Sequence, residues 1–362
     1  MRVVIACCGL EHTRRGYESF SRELFDALSG HVDVTLCKGS GRRRPGEVVV
    51  PCLRRDFLAR FMSPEPALYW EQITFAVALM PYLFLHGVDL VHFSEGNTGN
   101  ALARFVRWAG LRTRLVQSNG GPLHPRSFRP EVFIHQVIQD GLDQAIEWGI
   151  PPARMHLEPY GINPAKFRLT LQKQDAREKF GLPKDKFLIL SLAALNRKHK
   201  RLDYLIGEVA ALENQDVFLC MAGEPEAETD ALRELARQLM PGRHAFMTVP
   251  RAGIPELLAT ADLFVHAALH EGFGMVLLEA CAAGVPVACH NSPRFHWIMG
   301  DAALYTDMSV PGALTGNLRD VMIHEDRLRH LRDLGAARVE SFYDWKVLVP
   351  RYIAMYEAVL KS

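Results

Sequence analysis

The sequence lacks several features that would settle its class at once. It has no Cys-x-x-Cys pair and no Cys/His cluster at zinc spacing, which removes structural-zinc and dithiol redox chemistry. Its seven cysteines are scattered and odd in number, with Cys7 and Cys8 adjacent. They form no disulfide framework, and a reduced, cytoplasmic setting is expected. Charge of one sign is not in excess: the net charge is +1, so nothing calls for a nucleic-acid partner. The first apolar stretch, Val3-Val4-Ile5-Ala6, is too short for a signal peptide. The longest apolar run, Ile73 to Leu85, contains Pro81. It falls short of the roughly 20 residues of a spanning helix, so a buried helix is expected there. No Gly-x-Gly-x-x-Gly follows the first strand, where Cys7-Cys8-Gly9-Leu10-Glu11-His12 stands instead, which argues against a nicotinamide-dependent oxidoreductase. No Asp-x-Asp triplet occurs anywhere.

What is present is a long alternation of strand-like and helix-like segments. Apolar residues make up 48% of the 362, enough for two ordinary domains with real cores. In the N-terminal half, strands are expected at Arg2 to Cys8, Val32 to Cys37, Val88 to Phe93 and Arg114 to Gln117. Phe20, Leu24, Phe25 and Leu28 have helix spacing. The C-terminal half repeats the pattern. Strands are expected at Phe187 to Leu192, Val217 to Ala222, Leu263 to Ala268 and Val285 to Cys289, with helices at Leu202 to Leu212, Glu228 to Leu239, Ile254 to Ala261 and Gly274 to Ala283. Such alternation implies parallel sheets. The expected fold is α/β: two facing Rossmann-like, doubly wound domains with a cleft between them. The boundary is expected between Tyr160 and Leu182, a stretch with Gly161, Pro164, Gly181 and Pro183.

Ligands of open parallel sheets sit beyond the carboxyl ends of strands, where loops enter helices. The segment Ala261 to Asn291 reads as strand, loop and helix, with HEGFGMVLLE at its centre. Amides at Phe273, Gly274, Met275 and Val276 would face an anion at the helix start. Gly272 and Gly274 leave room for a diphosphate. Glu279 is placed to accept hydrogen bonds from a ribose diol, and Glu271 lies where a sugar on the diphosphate would be. Ordinary α/β architecture with a glutamate complementing the helix dipole is the plainer reading of the same string.

The segment resembles the E-x7-E motif of family 4 of the retaining glycosyltransferases, which have the GT-B fold. Glu271 and Glu279 match the two glutamates, and Ala280 to Val287 matches the run that follows them. Arg15-Gly16-Tyr17-Glu18 is similar to that family's N-terminal glycine loop. Glu158 to Asn163 with Phe167 resembles the approach to its linker, and Lys200 to Ile206 its lysine-bearing helix start. Met221-Ala222-Gly223-Glu224 resembles a strand end, and Trp345 to Leu360 the closing helices. The resemblance implies an acceptor-binding domain over residues 1–165, a nucleotide-sugar-binding domain over 166–344, and a helix over 345–362 that returns to the first domain. The resemblance implies transfer of a hexose-type sugar from a UDP- or GDP-sugar to a hydroxyl on a glycan, glycolipid or small glycoside, with retention and without a metal or tightly bound cofactor. Glu271 and Lys200 would serve at the reacting centre, and Gly16, Gly223, Glu224, the Phe273 to Val276 amides and Glu279 would hold the donor. A sugar-nucleotide epimerase or a non-catalytic relative is the alternative.

Three positions depart from the family pattern. Ala194 stands where an arginine is usual, leaving Arg197, Lys198 and Arg201 as candidates for the second cation, or as a solvated helix start. Arg15 replaces a glycine and is a further candidate for the phosphates. Asn119 replaces a histidine near the donor sugar, and its amide can donate and accept. His124 reads as a loop histidine, and His92 and His266 as satisfied strand histidines. Ser94, Glu95 and Asn97 are candidates for an acceptor pocket. Arg42 to Arg44, Arg54, Arg55, Arg104, Arg107, Arg112 and Arg114 form either a solvated surface or a basic patch for peripheral membrane contact.

Overall fold

Short runs of β-branched and apolar residues, buried on both faces, make the strands. The computed structural model describes every residue except Arg14, Arg15, Pro122, Leu123, Leu169 and Thr170. Two units result, Met1–Gly161 with Trp345–Ser362, and Ile162–Asp344.

The first unit contains β1 (Arg2–Cys7), α1 (Gly16–Leu28), β2 (Asp33–Lys38), β3 (Glu47–Val49), α2 (Arg55–Leu58), α3 (Pro64–His86), β4 (Leu90–Phe93) and α4 (Gly96–Trp108). These are followed by β5 (Arg114–Asn119), β6 (Val132–Gln136), α5 (Gln139–Glu147) and β7 (Met155–Leu157). The sheet order is β3-β2-β1-β4-β5-β6-β7, all parallel. Val4 pairs with Thr35 on one side and Val91 on the other.

The second unit contains α6 (Lys173–Lys179), β8 (Phe187–Leu192), α7 (Leu202–Ala210), β9 (Val217–Ala222), α8 (Thr229–Leu239), β10 (His244–Met247), α9 (Ile254–Leu258) and β11 (Leu263–His266). It continues with α10 (Met275–Ala282), β12 (Val287–His290), α11 (Pro293–Met299), β13 (Ala303–Thr306), α12 (Ala313–Ile323) and α13 (Glu325–Arg338). Its parallel order is β10-β9-β8-β11-β12-β13. The chain reverses direction across each sheet once, between β1 and β4 and between β8 and β11. Those are the switch points where a ligand crevice opens. The last helix, α14 (Trp345–Lys361), belongs to the first unit. Its Trp345 indole N–H donates to Glu23 Oε2 at 3.2 Å.

The units divide at Gly161/Ile162 rather than after residue 165. Ile162 already donates its amide to Tyr343 O at 2.9 Å and bridges to Asp344, which ties it to the second unit. The expectation of a buried helix at Ile73 to Leu85 needs correction. The run lies in α3, whose inward face is buried, but Val77, Phe84 and Leu85 are exposed by 55%, 62% and 75%.

Candidate active site

At the switch point of the second unit, the loops after β8 and β11 meet. Lys200 Nζ lies 2.5 Å from Glu271 Oε2, and His266 at the end of β11 donates through Nε2 to the same oxygen at 3.1 Å. Burial alone would raise the Glu271 carboxyl. The His266 hydrogen bond and the Lys200 ammonium outweigh it and hold the group at about 2. Glu271 is therefore ionised across the physiological range. Arg294, on α11, donates through Nη1 to the Glu271 carbonyl oxygen. Two cations thus converge on one loop.

That loop leads into α10. Gly274 caps it with φ +81°, a conformation that a side chain disfavours. A Cβ there would also lie 3.1 Å from Leu277 Cδ1 and 3.4 Å from Glu271 Cγ. Leu277 donates its amide to Gly274 O at 2.9 Å. Helix geometry gives the amides of Met275 and Val276 no intrahelical acceptor, so they remain for an anion. Phe273 is buried and meets the Tyr343 ring edge-on at 6.0 Å. Glu279, one turn further, is buried, and its Oε1 accepts from Arg251 Nη2. Arg251 sits in the turn after β10 with half of its side chain exposed.

Asn196 shapes the lysine loop. Its Oδ1 accepts the amides of His199 and Lys200 at 3.0 and 2.9 Å. Arg197 turns its guanidinium to Asp203 at 3.3 Å, and Arg201 donates to Met308 O while stacking over Tyr204. Neither guanidinium is bonded to Glu271 in this arrangement. Gly223 ends β9, where a Cβ would come within 1.8 Å of Ala193 O. The glycine is demanded by close packing of two loops. Glu224 beside it is exposed, and its carbonyl accepts the Leu195 amide at 3.0 Å. Replacing Gly223 by alanine is expected to cost about 1–3 kcal/mol, seen as a lower urea midpoint. An unchanged midpoint would show that the loops part easily.

The switch point of the first unit has the opposite electrostatics. Glu95, after β4, accepts from the Cys8 amide at 3.1 Å through Oε1. Its Oε2 is buried with no hydrogen-bond partner among the described residues. Burial pushes this carboxyl up despite the Cys8 contacts, and nearby Glu18 adds to the rise. Ser94 Oγ donates to Ser118 O at 3.2 Å, and Asn97 Nδ2 to Gln72 Oε1 at 3.0 Å. Asn119 donates inward, to Gly121 O and to Gln136 Oε1. Gly16 begins α1, exposed, with open space where a Cβ would go. Arg15 lies outside the described residues. His124 is an exposed loop histidine whose Nδ1 accepts the Arg126 amide at 3.2 Å.

Sequence reasoning missed three groups. Arg251 and Arg294 lie far along the chain from the glutamates they contact, in stretches with no motif. His266 is a satisfied strand-end histidine, but the partner that satisfies it is Glu271.

Residues 172–333 match the family model described as Glycosyl transferases group 1. The chain is 27% identical over 232 residues to mannosylfructose-phosphate synthase of Agrobacterium fabrum, covering 60% of this chain and 50% of that one. It is 27% identical over 235 residues to D-inositol 3-phosphate glycosyltransferase 1 of Catenulispora acidiphila, covering 61% and 56%. The matches thus span about half the length of these curated relatives. Among solved structures, Anabaena HepE in complex with UDP and glucose superposes with a TM-score of 0.79 at 16% identity, covering 99% of this chain and 100% of that one. Sucrose-phosphate synthase of Thermosynechococcus elongatus gives 0.80 at 17%, covering 99% of each. The second unit therefore carries a glycosyltransferase domain, and the whole chain has the GT-B fold of two Rossmann-like parallel-sheet units.

Proposed function

We propose that the chain is a retaining, metal-independent glycosyltransferase of family 4 that moves a hexose from a UDP- or GDP-sugar to a hydroxyl acceptor. The observation that carries this reading is the meeting of Lys200, His266 and Arg294 on the ionised Glu271 loop at the start of α10. In this reading the Met275 and Val276 amides receive the diphosphate. Lys200 and Arg294 supply the positive charge that a divalent ion would otherwise bring to the departing nucleotide. Glu271 accepts hydrogen bonds from the donor sugar. Glu279 exchanges Arg251 for the ribose hydroxyls. The hydroxyl acceptor, on a glycan, a glycolipid or a small glycoside, is held at the β1–β4 switch point. The seven cysteines, all buried but the half-buried Cys52, suit a reducing, cytoplasmic setting.

A donor panel tests the reading. At 100 times its dissociation constant, a true nucleotide ligand should add about 2.7 kcal/mol of stability, visible as a raised melting temperature with UDP or GDP and their sugars. If no nucleotide shifts it, the reading fails. A donor that binds and is consumed without transfer would instead move the chain to the epimerases.

A further inference from the structure

Helix α3 is apolar on both faces. Its inward face buries Ala67, Phe75, Ala76, Leu79 and Leu83 in the core and also holds Glu71, fully buried and bonded to His12 at 2.8 Å and Arg55 at 2.5 Å, and Gln72, which receives Asn97. Its outward face is apolar. Tyr69, Trp70, Val77, Phe84 and Leu85 are exposed by 46–75%, with Ile73 and Met80 half-buried among them. Trp70, Ile73, Val77, Met80 and Phe84 recur at three- and four-residue spacing, which is one stripe of a helix. No charged residue interrupts it between Glu65 and His86. The segment before α3 adds Leu53, Phe57 and Phe61, exposed by 48%, 51% and 73%. An apolar surface of this extent on a soluble unit marks a docking site.

The flanking charge selects the occupant. Arg42, Arg43, Arg44, Arg54 and Arg60 are exposed in the segments before the helix. Arg43 and Arg44 line a cavity of about 410 Å³ together with Tyr82 of α3. The exposed carboxylates of the same stretch are Asp56, already paired with Arg54, and Glu65. A two-fold contact with a second copy would set this basic margin against itself. An anionic bilayer complements it. The buried, bonded Glu71 and Gln72 argue that the helix lies on the membrane and does not cross it.

We propose that the outward face of α3, with Phe57 and Phe61 before it, docks in the headgroup region of an anionic phospholipid bilayer. This does not depend on the transferase reading, since it is tested without any nucleotide. The full chain is mixed with vesicles of phosphatidylcholine alone, or of equal parts phosphatidylcholine and phosphatidylglycerol, and then sedimented. Wild type is expected to pellet with the anionic vesicles and to be released by salt. Trp70→Ser and Phe84→Ser should each weaken partitioning roughly tenfold, with the melting temperature unchanged. Arg43→Ala should weaken it about fivefold on anionic vesicles and leave binding to neutral ones unaffected. Wild type remaining in the supernatant with both vesicles would overturn the proposal. So would variants that bind as well as wild type. A concentration-dependent dimer that Trp70→Ser dissolves would assign the face to a second copy instead.

Discussion

Replacing Lys200 by alanine is expected to slow sugar transfer by about 10²- to 10³-fold, the usual cost of removing one preorganised charge from a transition state. The ammonium is held by two constraints. Asn196 Oδ1 fixes its backbone at 2.9 Å, and Glu271 fixes Nζ at 2.5 Å. Charge grows on the nucleotide as the sugar leaves, so the loss should fall on kcat and leave the donor KM nearly unchanged. A large rise in KM with normal kcat would show that Lys200 only binds the ground state. The same substitution should alter the acid side of the pH profile. In the wild type, His266 and Lys200 overcome the rise that burial imposes and hold Glu271 at about 2, so its protonation does not limit the rate above about pH 3. Without the lysine, burial is opposed by His266 and the long Gly272 amide contact at 3.4 Å, and the carboxyl must rise. An acid limb should then appear at higher pH in Lys200→Ala and vanish in Glu271→Gln, which has no proton to take up. A Lys200→Ala enzyme within threefold of wild type would remove Lys200 from the chemistry.

Much of this frame was legible in the sequence for a physical reason. Strands such as Phe187–Leu192 and Val217–Ala222 are buried on both faces, so six apolar or small residues in a row announce them. The Glu271 to Glu279 segment was legible because its string follows from a single helix start. Elements that rely on their neighbours were not legible. β3 and β7 have three residues each, too few for any period to show. β6 carries His135 and Gln136 in its core positions, where polar residues are satisfied by partners distant in sequence. The same holds in the site. Arg294 reaches the Glu271 carbonyl only because β12 lies beside β11, and a side chain's reach across a sheet has no signature along the chain. Apolar content said that α3 existed. It did not say which face would be covered, because both faces are apolar: Phe75, Ala76, Leu79 and Leu83 are buried, while Val77, Phe84 and Leu85 are exposed.

Acid should destabilise the first unit before any carboxylate network fails, through His92, which the sequence marked as a satisfied strand histidine, and His135, which it did not single out. His135 Nε2 lies 2.7 Å from the Glu158 carbonyl and must donate to it. Its Nδ1 then accepts from Ser118 Oγ at 2.8 Å. Ser118 Oγ in turn accepts from His92 Nε2 at 2.7 Å, and His92 Nδ1 accepts from the Tyr356 hydroxyl of α14 at 2.6 Å. Every proton in this relay is used with both rings neutral, and a second proton on either ring would force the facing Ser118 or Tyr356 hydroxyl to turn from donor to acceptor. Burial accordingly lowers His135 from 6.5 to about 4 and His92 well below 6.5, each disfavoured further by a neighbouring imidazole. Both groups are held low in the folded state, so the unfolded chain binds more protons between about pH 6.5 and 4. Stability is therefore complete above about pH 6.5 and falls as pH drops through that window. By pH 5 the loss from His135 alone should reach about 2 kcal/mol, and His92 acts in the same direction. Glu71 and Glu271, whose carboxyls are lowered from 4.5, begin to contribute only nearer their unfolded value. Burial raises Glu95 and Glu158, which oppose the decline, and lowers His156 and His290, which add to it, so over the interval from about pH 6.5 to 5 it is the comparison with a His135 variant that isolates the relay. Urea unfolding across that interval should show a steep decline in wild type. His135→Gln keeps an amide donor for Glu158 O and removes one titration, so its decline should be shallower by one proton. A variant with the wild-type slope would show that the relay does not carry the acid sensitivity.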